Sequence, residues 1–402
     1  MKTIGFHQMR GSVNINAGDS QYAALIAAAQ CGITIDFVTL GTDTNVSDNI
    51  AWLEKVVAML PAGSVVSVEG INECNATLTP FQACITFQQN LYNAVHADPK
   101  LAGIKVLQFS QTLGSSQSGN TPNAMGMADL NNFHDYFSTL QAFIGLNSQV
   151  PLYSGIMPGV LMIATESGYV SAANPAIGYP DQQLVVTPKA QAPYGLSASL
   201  DAFQMSNPAV HLWVYELFDE QADPGNTSYQ WHLGMFNNDL SPKPIALAWQ
   251  RLWAVLNDPN PTAAQVQPTG NVTAPGGFKQ QILTRSDGWV LALWTDASFY
   301  DIVNKVDVNP PAVAGTVALG ATYAKVMVND EIANTSTTYT NVSSVPVSAN
   351  GVATVQVLSA AAPPVVVPPI VVPPVVVPPI VTPPTTAAHV LTYLLSEDAY
   401  KG

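Results

Sequence analysis

Residues 65–75 read Val65-Val66-Ser67-Val68-Glu69-Gly70-Ile71-Asn72-Glu73-Cys74-Asn75. A β-branched apolar run gives way, at its carboxyl end, to the polar groups of Glu69, Asn72 and Glu73. Buried strands of a parallel sheet have this composition, and polar residues gathered at the tip mark the end that opens to water. The pattern returns in 159–169, GVLMIATESGY, where Glu166 takes the place of Glu73.

Working outward from these two segments, strand and helix patterns alternate. Further strands are predicted at 3–10, 33–40, 105–112 and 211–219, with a shorter one at 130–137. Between them lie an Ala-rich helix at 22–30 with Asp19 and Ser20 as capping candidates, and a helix capped by Ser47. A third helix begins at Thr79-Pro80, with Cys84, Phe87 and Leu91 on its apolar stripe. A fourth begins at Thr187-Pro188, with Pro193 expected to disturb its first turns, and a last one runs from Ser241-Pro242 through Trp253. Alternation of this kind with apolar strands predicts a parallel sheet, and the number of units fits a TIM (β/α)8 barrel. The alternative, an open doubly wound sheet, lacks a Gly-rich phosphate loop after its first strand.

Beyond residue 257 the pattern changes to short strands without helices, at 278–282, 289–294, 316–319, 324–328 and 352–358, with a hairpin signal at Ser286-Asp287-Gly288. The organisation expected is therefore a barrel at 1–256, a small all-β sandwich at 257–361, a linker at 362–385 and a short module start at 386–402. The linker repeats Pro-Pro every five residues (PPVVV, PPIVV), a polyproline-like tract that reaches on the order of 65 Å.

Composition narrows the partners. Only 10% of the 402 residues are charged, the net charge is -14, and the 13 Lys and Arg form no basic patch, which argues against a nucleic-acid partner. No run of apolar residues is long enough for a membrane helix. Cys31, Cys74 and Cys84 have no zinc-site spacing; Cys74 and Cys84 could pair or remain buried thiols. His7, His96, His211 and His232 show no ligand spacing, so neither metal nor cofactor is expected.

Two carboxylates on the tips of separate buried strands suit the cleavage of a glycosidic bond, in which one donates a proton and the other attacks or activates water. The order of motifs resembles the clan A retaining glycoside hydrolases, which include cellulases, xylanases and β-xylosidases. Asn72-Glu73 resembles the end of that clan's strand four, Thr165-Glu166-Ser167-Gly168-Tyr169 strand seven, and Tyr215-Glu216-Leu217-Phe218-Asp219-Glu220 strand eight. Gly234-Met235-Phe236-Asn237 and Ser241-Pro242-Lys243-Pro244 are similar to the clan's stretch after strand eight.

The resemblance implies Glu73 as acid/base, Glu166 as nucleophile, and Asn72 against the sugar's 2-hydroxyl. It further implies that Tyr136, in His134-Asp135-Tyr136, contacts the nucleophile and that Arg10 orients it. Tyr215 stands where the clan often has a sugar-stacking tryptophan, and Trp231 is a candidate sugar platform. Each has a plainer reading: Glu69 is a structural carboxylate paired with a neighbour, Asp219 and Glu220 are rim groups capping a loop, and a lone histidine such as His134 is usually a core residue. The substrate expected is a carbohydrate, and the protein a monomer; a non-catalytic carbohydrate-binding protein is the alternative.

Counting back from strand four leaves no strand one and no helix one, and 394–402 resembles the opening of a xylan-binding module. The expectation is of a sequence cut short at both ends, from a secreted protein whose signal peptide does not appear in residues 1–10.

Overall fold

The computed structural model describes residues 4–14, 18–39, 45–74, 81–110, 123–137, 141–172, 185–205, 209–223 and 228–358. Thr79-Pro80, the proline-rich tract and the segment 386–402 lie outside the described residues.

Strands β1 (Gln8–Ser12), β2 (Thr34–Thr39), β3 (Val65–Ile71) and β4 (Lys105–Leu107) form a parallel sheet in chain order. A parallel bridge from Leu107 to Leu130 carries the wall on to β5 (Asn131–Tyr136) and β6 (Met162–Gly168). After β6, β7 (Val170–Ser171) and β8 (Val185–Val186) make a small parallel ribbon, and β9 (Val210–Val214) returns to pair with β6. All ladders in this half are parallel, as the strand–helix alternation predicts.

Helices α1 (Asp19–Gln30), α2 (Val46–Met59) and α3 (Gln82–Ala97) cover β1–β4. Leu25, Leu53, Val56, Phe87 and Leu91 share one core with Ile35, Phe37, Val68 and Val106 of the strands. Each such side chain contributes about 1.5–3 kcal/mol by leaving water. Helices α4 (Ala142–Ser154) and α5 (Pro188–Gln204) do the same for β5, β6 and β9, and α6 (Pro244–Leu256) packs beside α5. The opposite faces of the strands are polar and equally buried: Asp36, Glu69, Gln108 and Asn132 are all shut off from solvent. Gly70 is required where it stands, because a Cβ there would lie 2.1 Å from Gln88 Oε1, which accepts a bond from the backbone of Phe109.

Several element boundaries differ from the sequence reading. The first strand begins at Gln8 rather than at residue 3, because residues 4–7 pack on α6: Phe6 against Trp249 and His7 against Trp253. Gly5, with φ +87°, lets the chain pass Trp253. Asn45, not Ser47, caps α2, its Oδ1 accepting from the N–H groups of Ser47 and Asp48. Helix α6 starts at Pro244, since Ser241 is taken up in a turn with Asn237 and Asp239. Thr187 caps α5 as predicted, but Pro193 does not interrupt it; the bond it forgoes would go to Lys189, an exposed residue of the first turn where water can substitute. Helix α4 was not predicted.

In the all-β region, β10 (Lys279–Arg285) and β11 (Gly288–Trp294) make the predicted hairpin. A two-stranded ribbon, β12 (Tyr300–Asp301) with β13 (Val306–Asp307), comes next in the chain. The segments 316–319 and 324–328 belong to one long strand, β14 (Val313–Asp330), which pairs with β15 (Thr335–Ala349), absent from the sequence reading, and with β16 (Val352–Leu358). The result is one antiparallel sheet, ordered β10-β11-β16-β14-β15, rather than two separate sheets. The β14–β15 register breaks between Ala318 and Tyr323, around Gly320 with φ +78°, and residues from both sides of the break share one core with β11 and β16.

This sheet is anchored to the helices of the barrel half. Trp294 Nε1 and Lys279 Nζ both donate to Asp201 Oδ1 of α5 at 2.8 Å. The Phe299 backbone N–H donates to Tyr194 Oη at 2.7 Å, and Arg251 of α6 donates to the carbonyl of Glu331.

Candidate active site

The carboxyl ends of β1, β3, β5 and β6 converge on one group of side chains, and Arg10 is its hub. Its Nε and Nη2 grip Glu69 at 2.6 and 2.9 Å; Nη1 donates to Glu166 Oε1 at 2.7 Å, and Nη2 also donates to Asn72 Oδ1 at 2.8 Å. Burial alone would lower the pKa of Arg10, but the charges of Glu69 and Glu166 raise it, so the guanidinium stays charged.

Glu69, fully buried, also accepts from Asn132 Nδ2 at 2.9 Å and Thr165 Oγ1 at 3.3 Å. Burial works against its charge, yet Arg10 outweighs that and holds its carboxyl below the usual range. Asp36 is pushed well above the usual range by burial and by the negative charge of Glu69. The floor of the site is thus the buried ion pair of Arg10 and Glu69. Ion pairs so buried need this number of hydrogen bonds to offset desolvation.

Above this floor stand Glu166 and Glu73. Glu166 receives Tyr136 Oη at 2.6 Å on Oε2, opposite the Arg10 bond on Oε1. Burial and the nearby Glu166 charge raise the tyrosine's pKa, which keeps it a donor. Glu73 meets His134 Nδ1 at 3.0 Å, and the same nitrogen lies 3.4 Å from Glu166 Oε2. His134 Nε2 sits 3.3 Å from Thr165 Oγ1. One ring nitrogen of His134 therefore faces both glutamates, and the other faces Thr165. Carboxyl oxygens of Glu73 and Glu166 and a His134 nitrogen lie within 4.8 Å of one another. Such a trio could in principle hold a cation, but the Arg10 guanidinium already occupies one oxygen of Glu166.

The backbone at Glu73 is left-handed, with φ +43°, a conformation that costs a non-glycine residue about 1–2 kcal/mol. Two devices hold it. Ser110 Oγ accepts from the Glu73 N–H at 2.9 Å and donates to Asn72 Oδ1 at 3.1 Å, while the Ser110 carbonyl accepts from the Cys74 N–H. Cys74 is bonded to Cys84 near the start of α3, so the residue after Glu73 is cross-linked to a helix; Cys31 is a free, exposed thiol.

Of the residues singled out in the sequence, Arg10, Asn72, Glu73, His134, Tyr136 and Glu166 come together. Tyr215 lies at the edge of the group, its ring edge-on to Tyr136 with centroids 6.3 Å apart, and a cis peptide bond joins it to Glu216. Trp231 lies in a short 3-10 helix, Tyr229–His232, half-buried beside β7. Asp219 accepts from the Gly234 N–H at 2.9 Å and from Lys243 Nζ at 2.6 Å, a loop-capping role. Sequence reasoning passed over Ser110, Asn132 and Thr165 as site residues. Asn132 and Thr165 carried one usable signal, polar side chains inside otherwise apolar strand patterns.

No known family profile matches the sequence, and no curated protein matches it. Among solved structures, the chain is similar to a family 39 glycoside hydrolase from the gut symbiont Bacteroides cellulosilyticus WH2. The TM-score is 0.64 at 13% identity, covering 89% of this chain and 76% of that one. Weaker likenesses, too low to bear on the fold, are to a GH5_18 protein from Bifidobacterium longum subsp. infantis (TM-score 0.45, 12% identity, 62% of this chain and 70% of that one) and a β-glucuronidase from an uncultured Clostridium (0.46, 15%, 63% and 45%). The chain has the TIM-barrel fold of the family 39 structure, with an all-β region beside it.

Proposed function

We propose that this protein is a glycoside hydrolase that cleaves β-glycosidic bonds with net retention, Glu166 acting as nucleophile and Glu73 as acid/base. The observation that carries the reading is the convergence of the Glu73 and Glu166 oxygens and a His134 nitrogen within 4.8 Å. Retaining enzymes hold their two carboxyl groups about 5–5.5 Å apart, whereas inverting enzymes need about 6.5–9.5 Å to admit a water molecule.

The surroundings divide the two roles. Glu166 is gripped by a guanidinium on one oxygen and a phenol on the other, which orients it and serves a carboxylate poised to attack an anomeric carbon. Glu73 is more open to solvent, beside a histidine, where it can pass a proton to the leaving oxygen and later take one from water. Asn72 is held between Arg10 and Ser110 through its Oδ1, next to Glu73 in the chain, where the side chain can meet a sugar hydroxyl.

The test sets the wild type, treated with a 2-deoxy-2-fluoro glycoside bearing an activated leaving group, beside one variant, Glu73→Ala. Mass spectrometry of the wild type should find the sugar on the peptide containing Glu166. Glu73→Ala should cleave activated aryl glycosides slowly and give glycosyl azide when azide is added. Labelling at any other residue would overturn the assignment of the nucleophile, and inverted product would overturn the mechanism.

A further inference from the structure

The hydrogen bonds that end at His134 have a fixed direction. Asn132 Nδ2 lies 3.0 Å from the carbonyl oxygen of Gln108 and 2.9 Å from Glu69 Oε2. A backbone carbonyl only accepts, so this nitrogen is the donor end of the amide, and Oδ1 is the end turned to Thr165 Oγ1, 2.8 Å away. An amide oxygen has no proton to give, and the Thr165 hydroxyl therefore donates to Asn132. Its neighbour Glu69 Oε2, at 3.3 Å, is another acceptor.

A hydroxyl carries one proton. With that proton committed, Thr165 Oγ1 can only accept from His134 Nε2, at 3.3 Å, so Nε2 carries a hydrogen. Asn132, His134 and Thr165 are all buried, and water is poorly placed to substitute for a partner. The other ring nitrogen, Nδ1, faces Glu73 Oε1 at 3.0 Å and Glu166 Oε2 at 3.4 Å. In a neutral ring with its hydrogen on Nε2, Nδ1 is a bare lone pair that two ionised carboxylates would repel. One further proton relieves this, either on Glu73 and donated to Nδ1, or on Nδ1 and donated to Glu73.

We propose that Asn132 and Thr165 are positioning residues: they fix the hydrogen of His134 on Nε2 and thereby make Glu73 and Nδ1 share the proton destined for the leaving oxygen. That proton passes to the glycosidic oxygen as its bond to the anomeric carbon breaks, and the pair recovers one from the water that attacks in the second step. This rests on the glycosidase reading above and extends it to how the acid holds its proton. The charged groups about the ring are Glu73 beyond β3, Glu69 within it and Glu166 on β6, with Tyr136 and Arg10 bonded to Glu166.

The experiment records nitrogen-15 spectra of the full chain carrying labelled histidine, the His134 signals being identified by their absence from His134→Gln. The wild type should keep a hydrogen on Nε2 across about pH 5–8, the range in which a histidine ordinarily titrates. Thr165→Val, which keeps the shape but cannot accept, should move the hydrogen of the neutral ring to Nδ1, and Thr165→Ser should restore the wild-type pattern. With Nδ1–H able to face Glu73, the pair gives up its shared proton more readily. The basic limb of kcat/KM on an alkyl glycoside should then fall by about one pH unit in Thr165→Val, the equivalent of one hydrogen bond, and return in Thr165→Ser. A dinitrophenyl glycoside, whose leaving group departs without a proton, should show no such shift; a purely structural role would alter both substrates alike. A wild-type ring with Nε2 bare, or a Thr165→Val ring with its hydrogen still on Nε2, would overturn the proposal. If no glycoside is hydrolysed, the glycosidase reading falls, and the spectra still decide whether Thr165 sets the tautomer of His134.

Discussion

Arg10 holds Glu69 with two of its nitrogens, at 2.6 and 2.9 Å, and the same guanidinium reaches Glu166. The two carboxylates thus share one rigid cation. Lysine cannot reproduce this planar fork. Arg10→Lys is expected to lower kcat by at least about 100-fold. Glu69→Ala leaves Arg10 without its main buried partner and should cost about 3–5 kcal/mol of stability. Thermal unfolding and turnover on one set of samples check both, and Glu69→Ala with unchanged stability would contradict the structural role given to it.

Ser110 supports Glu73 and Asn72 together through one hydroxyl. Ser110→Ala should cost only about 1 kcal/mol in stability. If Glu73 is the acid, as proposed, the effect on turnover should depend on the leaving group: small for dinitrophenyl glycosides, and about tenfold or more for alkyl glycosides, whose departure needs a proton. Equal losses for all leaving groups would point away from a role in placing the acid.

The Cys74–Cys84 bond closes a short loop directly after Glu73. Cys74→Ser/Cys84→Ser should lose about 2–3 kcal/mol by the loop-entropy relation. It should also show the leaving-group dependence of Ser110→Ala, because the same left-handed backbone is released. Denaturant titration gives the first quantity and aryl glycoside kinetics the second.

Asp135 lies on β5 with its carboxyl facing α4, and burial raises its pKa to about 7. The unfolded chain would ionise this group near pH 4, so from there up to about pH 7 the folded state holds a proton that the unfolded state has lost. Stability from this group therefore falls as pH rises through that window and levels off above it. Asp135→Asn should flatten this slope, raising stability at pH 7–8 by an amount on the order of 2–4 kcal/mol while changing little near pH 4. Melting curves across pH 4–8 decide it; an unchanged pH profile would refute the assignment.

The strand tips were legible because a parallel strand announces itself by an apolar run and its functional end by a break in that run, as at Val68-Glu69 and Ala164-Thr165-Glu166. The difference in setting between Glu69 and Glu73 was also legible: one lies inside the strand, the other past its end. Ser110 was not, since a serine beyond a short strand looks like any surface residue until the fold brings it beneath Glu73. Strand β15 was hidden by its Ser- and Thr-rich sequence and by Pro346. It is an edge strand, where proline is tolerated and a mostly polar outer face needs no core. Helix α4 was masked by Gly145 and Pro151, two residues that usually end helices. The disulfide could not be chosen over free thiols from spacing alone; it took the approach of α3 to the end of β3.

Asp201 bears on how this protein can be recombined. Its carboxylate sits on α5, in the barrel half, yet the two groups that hold it, Trp294 Nε1 and Lys279 Nζ, belong to the all-β sheet. Cutting the chain between 256 and 278 would strand an acid on a buried helix face and strip the cover from the Trp294 indole. The two halves are therefore not interchangeable cassettes. A chimaera that borrows the sheet from another protein has to borrow a partner for Asp201 with it, so the sheet is inherited with its barrel as a single unit of exchange.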